Sequence, residues 1–199
     1  MITKQYLFAN WNYPTQVRFG IGRISEICDA CSALNIKRPL IVTDTGLANS
    51  KIIKNLTELI EAGDLEMGLF SNVQGNPVGK NIIEGAHVYL DGLHDGVIAI
   101  GGGSAMDAGK VIAMYQGQTN KLFDLHVKVD GGTRINPDKI APIIAVPTTA
   151  GTGSETGRAG LITDEEVKIK RIFAHPKMMP GIVIEDPKLS AGLPPNLTA

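Results

Sequence analysis

The residues with the clearest capacity for chemistry in this 199-residue chain run from Gly101 to Lys110: Gly-Gly-Gly-Ser-Ala-Met-Asp-Ala-Gly-Lys. Residues 96–100 before them form a short apolar run that reads as a buried strand, and 105–115 after them have the residue types of a helix. Strand, glycines and helix N-terminus in succession make an anion cradle. Glycine lacks the Cβ that would block close approach, and the first-turn N–H groups point at the bound group. A pyrophosphate is the expected guest, and Ser104 is expected to cap the helix. The run is neither the G-x-G-x-x-G fingerprint nor a P-loop, so a glycine-rich turn without a ligand stands beside the anion reading.

A second polar stretch follows the apolar run 141–146 and Pro147. Thr148, Thr149, Thr152 and Ser154 sit there among Gly151 and Gly153, hydroxyls suited to phosphate, ribose or amide contacts. Asp44 closes another strand, 39–43. A carboxylate there accepts from ribose hydroxyls and repels a 2′-phosphate, which favours NAD over NADP; it equally suits an Asx turn with Gly46. Asn76-Pro77 is a turn signal. Lys168 and Lys170 share a strand face by alternation, either as solvated lysines or with one reaching a cofactor. Asp107 and Lys110 are spaced as an i,i+3 pair, with Asp107 also suited to holding the glycine loop. Glu155 is read as a cap or loop clasp, without a catalytic role. His87, His94, His126 and His175 are scattered, with no H-x-x-x-H or H-E-x-x-H pair. No nucleophile–base order or carboxylate pair stands out: the pattern is a cofactor pocket without evident chemistry.

The elements that must position these groups alternate. Residues 5–19 suggest a hairpin or edge pair, 23–34 a helix, 39–43 a strand, 47–62 an amphipathic helix and 65–70 a strand. A helix around 82–90 ends at Gly92; strand 96–100 and its helix follow. Residues 117–139 are irregular, 141–146 a strand, 159–163 and 167–173 a hairpin, and 182–184 a last strand. This predicts an α/β fold, a Rossmann-like three-layer sandwich around a mostly parallel sheet. Ligands in such sheets bind beyond the carboxyl ends of the strands. Asp44, Asn76, the glycines and the threonines all follow strands, on one rim.

Composition excludes other classes. Apolar residues make up 43% and charged residues 20%, with 19 lysines and arginines against 20 aspartates and glutamates. That balance gives no electrostatic reason for a nucleic acid or acidic membrane partner. No apolar run reaches the length of a membrane span, and no signal-peptide core is visible, so a cytoplasmic setting is the expectation. Cys28 and Cys31 have the spacing of a redox dithiol or half a zinc site, but Ile24, Ile27, Cys31 and Leu34 trace one helix face and favour core thiols.

At 101–110 and at Pro147-Thr148-Thr149-Ala150-Gly151-Thr152-Gly153-Ser154-Glu155 the chain resembles the iron-containing, metal-dependent group III alcohol dehydrogenases. Phe19-Gly20-Ile21-Gly22, Val42-Thr43-Asp44, Asn76-Pro77 and Asp186-Pro187 before Leu193-Pro194-Pro195 extend the match. The resemblance covers essentially the whole chain, but only the N-terminal, nucleotide-binding half of the family. It implies that Gly101, Gly102, Gly103 and Ser104 hold the pyrophosphate and that Asp44 meets the adenosine ribose. Thr148, Thr149 and Thr152 would line the cofactor site with Asn76, and Lys170, in preference to Lys168, would be the cofactor-side lysine. It implies NAD, with NADP as the alternative, bound by a domain over 1–185, and an interdomain segment over 186–199.

The resemblance assigns the iron(II) or zinc ligands, an aspartate and three histidines, to a helical C-terminal domain beginning beyond Ala199. It implies reversible hydride transfer between a small primary or secondary alcohol, with its aldehyde or ketone, and NAD. The chain alone is then expected to be inactive. A homodimer through the N-terminal edge strands is the assembly considered. The rival readings are a glycerol dehydrogenase or 3-dehydroquinate synthase type, and a non-catalytic dinucleotide-binding module or subunit needing a separate C-terminal half.

Overall fold

The computed structural model describes residues 14–193. Three strands are buried almost throughout: β2 (Pro39–Asp44), β4 (Gly96–Gly101) and β5 (Ile143–Pro147). Runs apolar on both faces require cover on both faces, which is the condition of a parallel sheet between helices. With β1 (Gln16–Phe19), β3 (Gly68–Val73) and β8 (Ile182–Glu185) they form one sheet, in the order β1-β8-β5-β4-β2-β3. Every neighbouring pair in it is parallel.

Strand alternation divides the core in two. Ile41, Ile98, Ile100, Ile144, Val146, Ile182 and Ile184 face one side, where α1 (Ile27–Ala33) and α2 (Lys51–Ala62) cover them. Leu40, Val42, Val97, Ala99, Ile143, Ala145 and Val183 face the other. There α3 (Gly79–Asp91) and α4 (Gly103–Tyr115) lie on the sheet. A short α5 (Val127–Asp130), the antiparallel hairpin of β6 (Ala159–Asp164) and β7 (Ile169–Ala174), and α6 (Pro187–Ser190) complete the described elements. This is the Rossmann-like, mostly parallel α/β sandwich expected. Among the described residues no helix is long and apolar enough to cross a membrane.

Several local expectations are corrected. Ser104 does not cap α4: the N-cap is Gly102 and the helix begins at Gly103, one residue before the serine. The second helix starts at Lys51 rather than 47, because Leu47 and Ala48 donate back to the Asp44 carbonyl in a turn and Ser50 is the cap, accepting from Ile53 N at 3.3 Å. The third strand lies three residues later than expected. Gly68 opens it, since a Cβ there would stand 2.3 Å from His94 Nε2. Lys168 is in the hairpin turn with a left-handed φ of 55°, not on a strand face with Lys170. Of the hairpin expected over 5–19, the first part falls on residues 1–13, outside the described residues. Its last part is β1, paired in parallel with β8.

Cys31 is fully buried in the α1–α2 core, and the half-buried Cys28 thiol donates to Leu59 O at 3.3 Å. Burial pushes the Cys31 thiol up to about 12, with Cys28 and Asp95 adding to the effect. Below pH 9 the thiol is protonated folded or unfolded. Above it the unfolded thiol ionises while the folded one does not, so stability falls as pH rises from 9 toward 12. Urea midpoints measured between pH 8 and 10.5 should therefore drop more steeply for the native chain than for Cys31→Ala. Equal slopes would contradict the assignment.

A Cβ on Gly109 would stand 2.6 Å from the Ala99 Cβ, so α4 lies against β4 at a distance only glycine permits. Alanine is the better helix former by about 1 kcal/mol, but overpacking costs roughly 1–3 kcal/mol. Gly109→Ala is expected to lower the urea midpoint. Gly75→Ala, where nothing lies within 4 Å of a Cβ, should leave it nearly unchanged.

Candidate functional site

The site is built on the turn between β4 and α4. Gly101 takes a φ of 142°, which disfavours any side chain, and a Cβ there would meet the Ala105 Cβ at 2.7 Å and Asp44 Oδ2 at 3.0 Å. Gly102 O accepts the first intrahelical bond, from Met106 N at 3.1 Å, and no side chain caps the helix. The first-turn amides of Gly103, Ser104 and Ala105 thus have no carbonyl earlier in the helix to receive them, and they carry the positive end of its dipole.

Asp44 borders this cradle. Its Oδ1 accepts from Gly46 N at 2.9 Å and Leu47 N at 3.0 Å, the anticipated Asx turn. Its Oδ2 lies on the Gly101 side. One oxygen shapes the turn and the other is presented to the glycines.

The threonine loop borders the opposite side. Thr149 Cγ2 is 3.5 Å from where a Gly102 Cβ would stand, and Thr152 Cβ is 3.3 Å from the corresponding point on Gly103. Thr148 is only 2% exposed; its N–H donates to Gly101 O at 3.0 Å and ties the two loops together. Thr152 Oγ1 accepts from Ser154 N at 3.4 Å. Thr149 Oγ1 and Glu155 Oε2 are buried without a hydrogen-bond partner. Such atoms cost roughly 1–3 kcal/mol each. Both residues line an open cleft of about 370 Å³, together with Phe19, Pro147, Glu185 and Pro187.

The hairpin supplies the third wall. Thr163 N donates to Pro77 O at 2.8 Å, which fastens β6 to the turn after β3. Lys170 is paired with Thr163, so its ammonium reaches Asn76 Oδ1 at 2.7 Å. Asn76, at a left-handed φ of 57°, donates its N–H to Ser104 Oγ at 3.4 Å. Ser104, Asn76 and Lys170 therefore form one connected set beside the cradle, with Lys170 and not Lys168 at its end.

Asp107 and Lys110 do pair, at 3.2 Å, but Asp107 does not hold the glycine loop. Its carboxylate accepts from Ser154 Oγ at 2.5 Å and Leu161 N at 3.0 Å, so the Ser154 hydroxyl is committed to Asp107. Burial lowers the Lys110 pKa from its ordinary value, against the opposing pull of Asp107 and Glu155. The D-x-x-K spacing announces the pair. Nothing in it announces that the pair's other partners lie in the threonine loop and hairpin.

An uncapped helix start, Cβ-free residues where the chain turns into it, and unpartnered polar atoms beyond it fit the phosphates and flanking groups of a dinucleotide. An iron centre does not fit the described residues. No group of three or more histidines, cysteines, aspartates and glutamates among them is able to hold a metal. His175 Nδ1 is instead used in a turn, accepting from Lys177 N at 3.1 Å.

The family model for iron-containing alcohol dehydrogenase matches residues 14–187. Choline dehydrogenase of Bacillus subtilis is 33% identical over 192 residues, covering 96% of this chain and 47% of that protein. A crystal structure of a 1,3-propanediol oxidoreductase superposes with a TM-score of 0.87 at 32% identity, covering 96% of this chain and 49% of that one. Sulfoacetaldehyde reductase from Bifidobacterium kashiwanohense, solved in complex with NAD+, gives 0.85 at 30% identity, with coverage of 96% and 49%. The chain spans about half the length of the relatives it matches. A family match through nearly all the described residues, made by a sheet and rim of this kind, means that the chain belongs to the iron-containing alcohol dehydrogenase family and corresponds to the N-terminal, nucleotide-binding half of its full-length members.

Proposed function

We propose that this chain is the NAD-binding half of an alcohol dehydrogenase that moves hydride reversibly between a small primary or secondary alcohol and NAD. The observation that carries the reading is the uncapped N-terminus of α4, set between the Asp44 carboxylate and the threonine loop. In this reading residues 1–185 form the cofactor domain and 186–199 lead out of it. Gly101, Gly102, Gly103 and the Ser104 amide take the pyrophosphate. Asp44 Oδ2 accepts from the adenosine ribose and repels a 2′-phosphate. Asn76 and Lys170 set a cation beside the phosphates, while Thr148, Thr149 and Thr152 close the far side.

When bound, the cofactor supplies a hydride acceptor at its nicotinamide ring. Thr149 and Glu155, which line the open cleft, would flank that ring, and metal chemistry would come from outside the described residues. The substrate class is kept broad for a reason. Choline is cationic, 1,3-propanediol neutral and sulfoacetaldehyde anionic, so the relatives' named compounds share the alcohol or aldehyde carbon and not the substituent.

Calorimetric titration of the 199-residue chain is expected to show NAD binding at least about tenfold tighter than NADP, some 1.4 kcal/mol. Asp44→Asn keeps an oxygen for the Asx turn and removes the charge, so it should narrow that gap by improving NADP. Tighter binding of NADP to the native chain, or no binding of either nucleotide, would overturn the reading.

A further inference from the structure

We propose that Lys110 is the positioning residue of this site: a buried ammonium that holds the threonine loop over the glycine cradle, so that a dinucleotide is gripped from both sides. The inference rests on the cofactor reading above. Gly103, Asp107 and Lys110 fall on one face of α4 by helical spacing, so the cradle and the clamp belong to the same rigid element.

The Lys110 side chain is 1% exposed. Its Nζ donates to Ser154 O at 2.8 Å, to Ala159 O and, more weakly, to Gly157 O at 3.4 Å. Asp107 takes the Ser154 hydroxyl and the Leu161 amide of the same segment. Lysine and aspartate thus secure the stretch that joins Thr152 to β6, one through its carbonyls and the other through its donors.

The other hydrogen bonds of residues 152–157 are local to the stretch: Ser154 N donates to Thr152 Oγ1, Thr156 N and its hydroxyl to Gly153 O, and Gly157 N to Ser154 O. They shape the turn without fastening it to α4. Gly151 and Gly153 have φ of 112° and 68°, and a Cβ on Gly151 would meet nothing within 4 Å. Thr148 N already ties the start of the loop to Gly101 O, but beyond it two such glycines leave many conformations, and the buried ammonium selects the one that keeps Thr152 over Gly103. Filling the space alone would not need a charge: methionine has similar length, and burying an ammonium is costly unless its acceptors are in place.

The test uses Lys110→Met and the milder Ser154→Ala, which deletes only the hydroxyl arm to Asp107. Amide hydrogen exchange of the free chain is expected to quicken at 151–157 in both, while β4 and the body of α4 stay protected. By calorimetry NAD should weaken about tenfold in Lys110→Met, and AMP, which reaches only Asp44 and the cradle, should keep its affinity. Unchanged exchange at 151–157 in both variants would overturn the proposal, as would equal weakening of NAD and AMP. If Lys110→Met does not fold, Ser154→Ala decides by the same two criteria. A native chain that binds neither nucleotide refutes the cofactor reading, and the exchange result still decides whether Lys110 positions the loop.

Discussion

The geometry of the rim depends on the burial of one helix. Residues of α4 from Ala105 to Met114 are buried with the single exception of Asp107, because the helix is enclosed by the sheet, by α3 and by the hairpin. A helix apolar on nearly every side has no solvent face to rotate toward, so its axis and rotation are fixed by packing. Gly109 sets its distance from β4. Gly85 does the same from α3, where a Cβ would strike Ile112 Cδ1 at 2.3 Å. Gly160 does so from the hairpin, where it would meet Asp107 O at 2.7 Å. The first turn of the helix, less buried than its body, emerges at the carboxyl end of the sheet.

This placement explains why so few residues make a site. The dipole and the first-turn amides come with the helix and need no side chain. In the proposed function the side chains add selection: Asp44 on one side, threonines on the other, and a lysine carried in by the hairpin. The hairpin in turn is held to α4 by Asp107 and to the loop after β3 by Thr163, so the three walls are not independent.

Much of this was legible in the sequence, and the limits follow from the physics. Continuous apolar runs at 39–43, 96–100 and 141–146 mark strands buried on both faces, and the rim follows once those strands are parallel. Ser104 misled because a serine beside a helix start normally caps it; here Gly101 and Gly102 carry the turn and the helix begins earlier. The third strand was misplaced because Gly68 reads as a weak point in a strand. It is instead the place where the His94 ring needs the room. For Lys110 the sequence offers only the i,i+3 pairing with Asp107, since spacing along one helix says nothing about carbonyls forty or more residues away.

Asp44 shows why position on the rim outweighs residue type. A carboxylate in an Asx turn is ordinary, and its first oxygen is used in that ordinary way. The second oxygen faces Gly101 only because the glycine has no Cβ to displace it, and the glycine is tolerated there only because the backbone turns at a φ of 142°. Replacing Gly101 would therefore move the acidic wall and the helix start together. Turn chemistry, close approach and charge meet at this one residue, so the cradle and its selectivity for an unphosphorylated ribose are a single structural feature in the proposed mechanism.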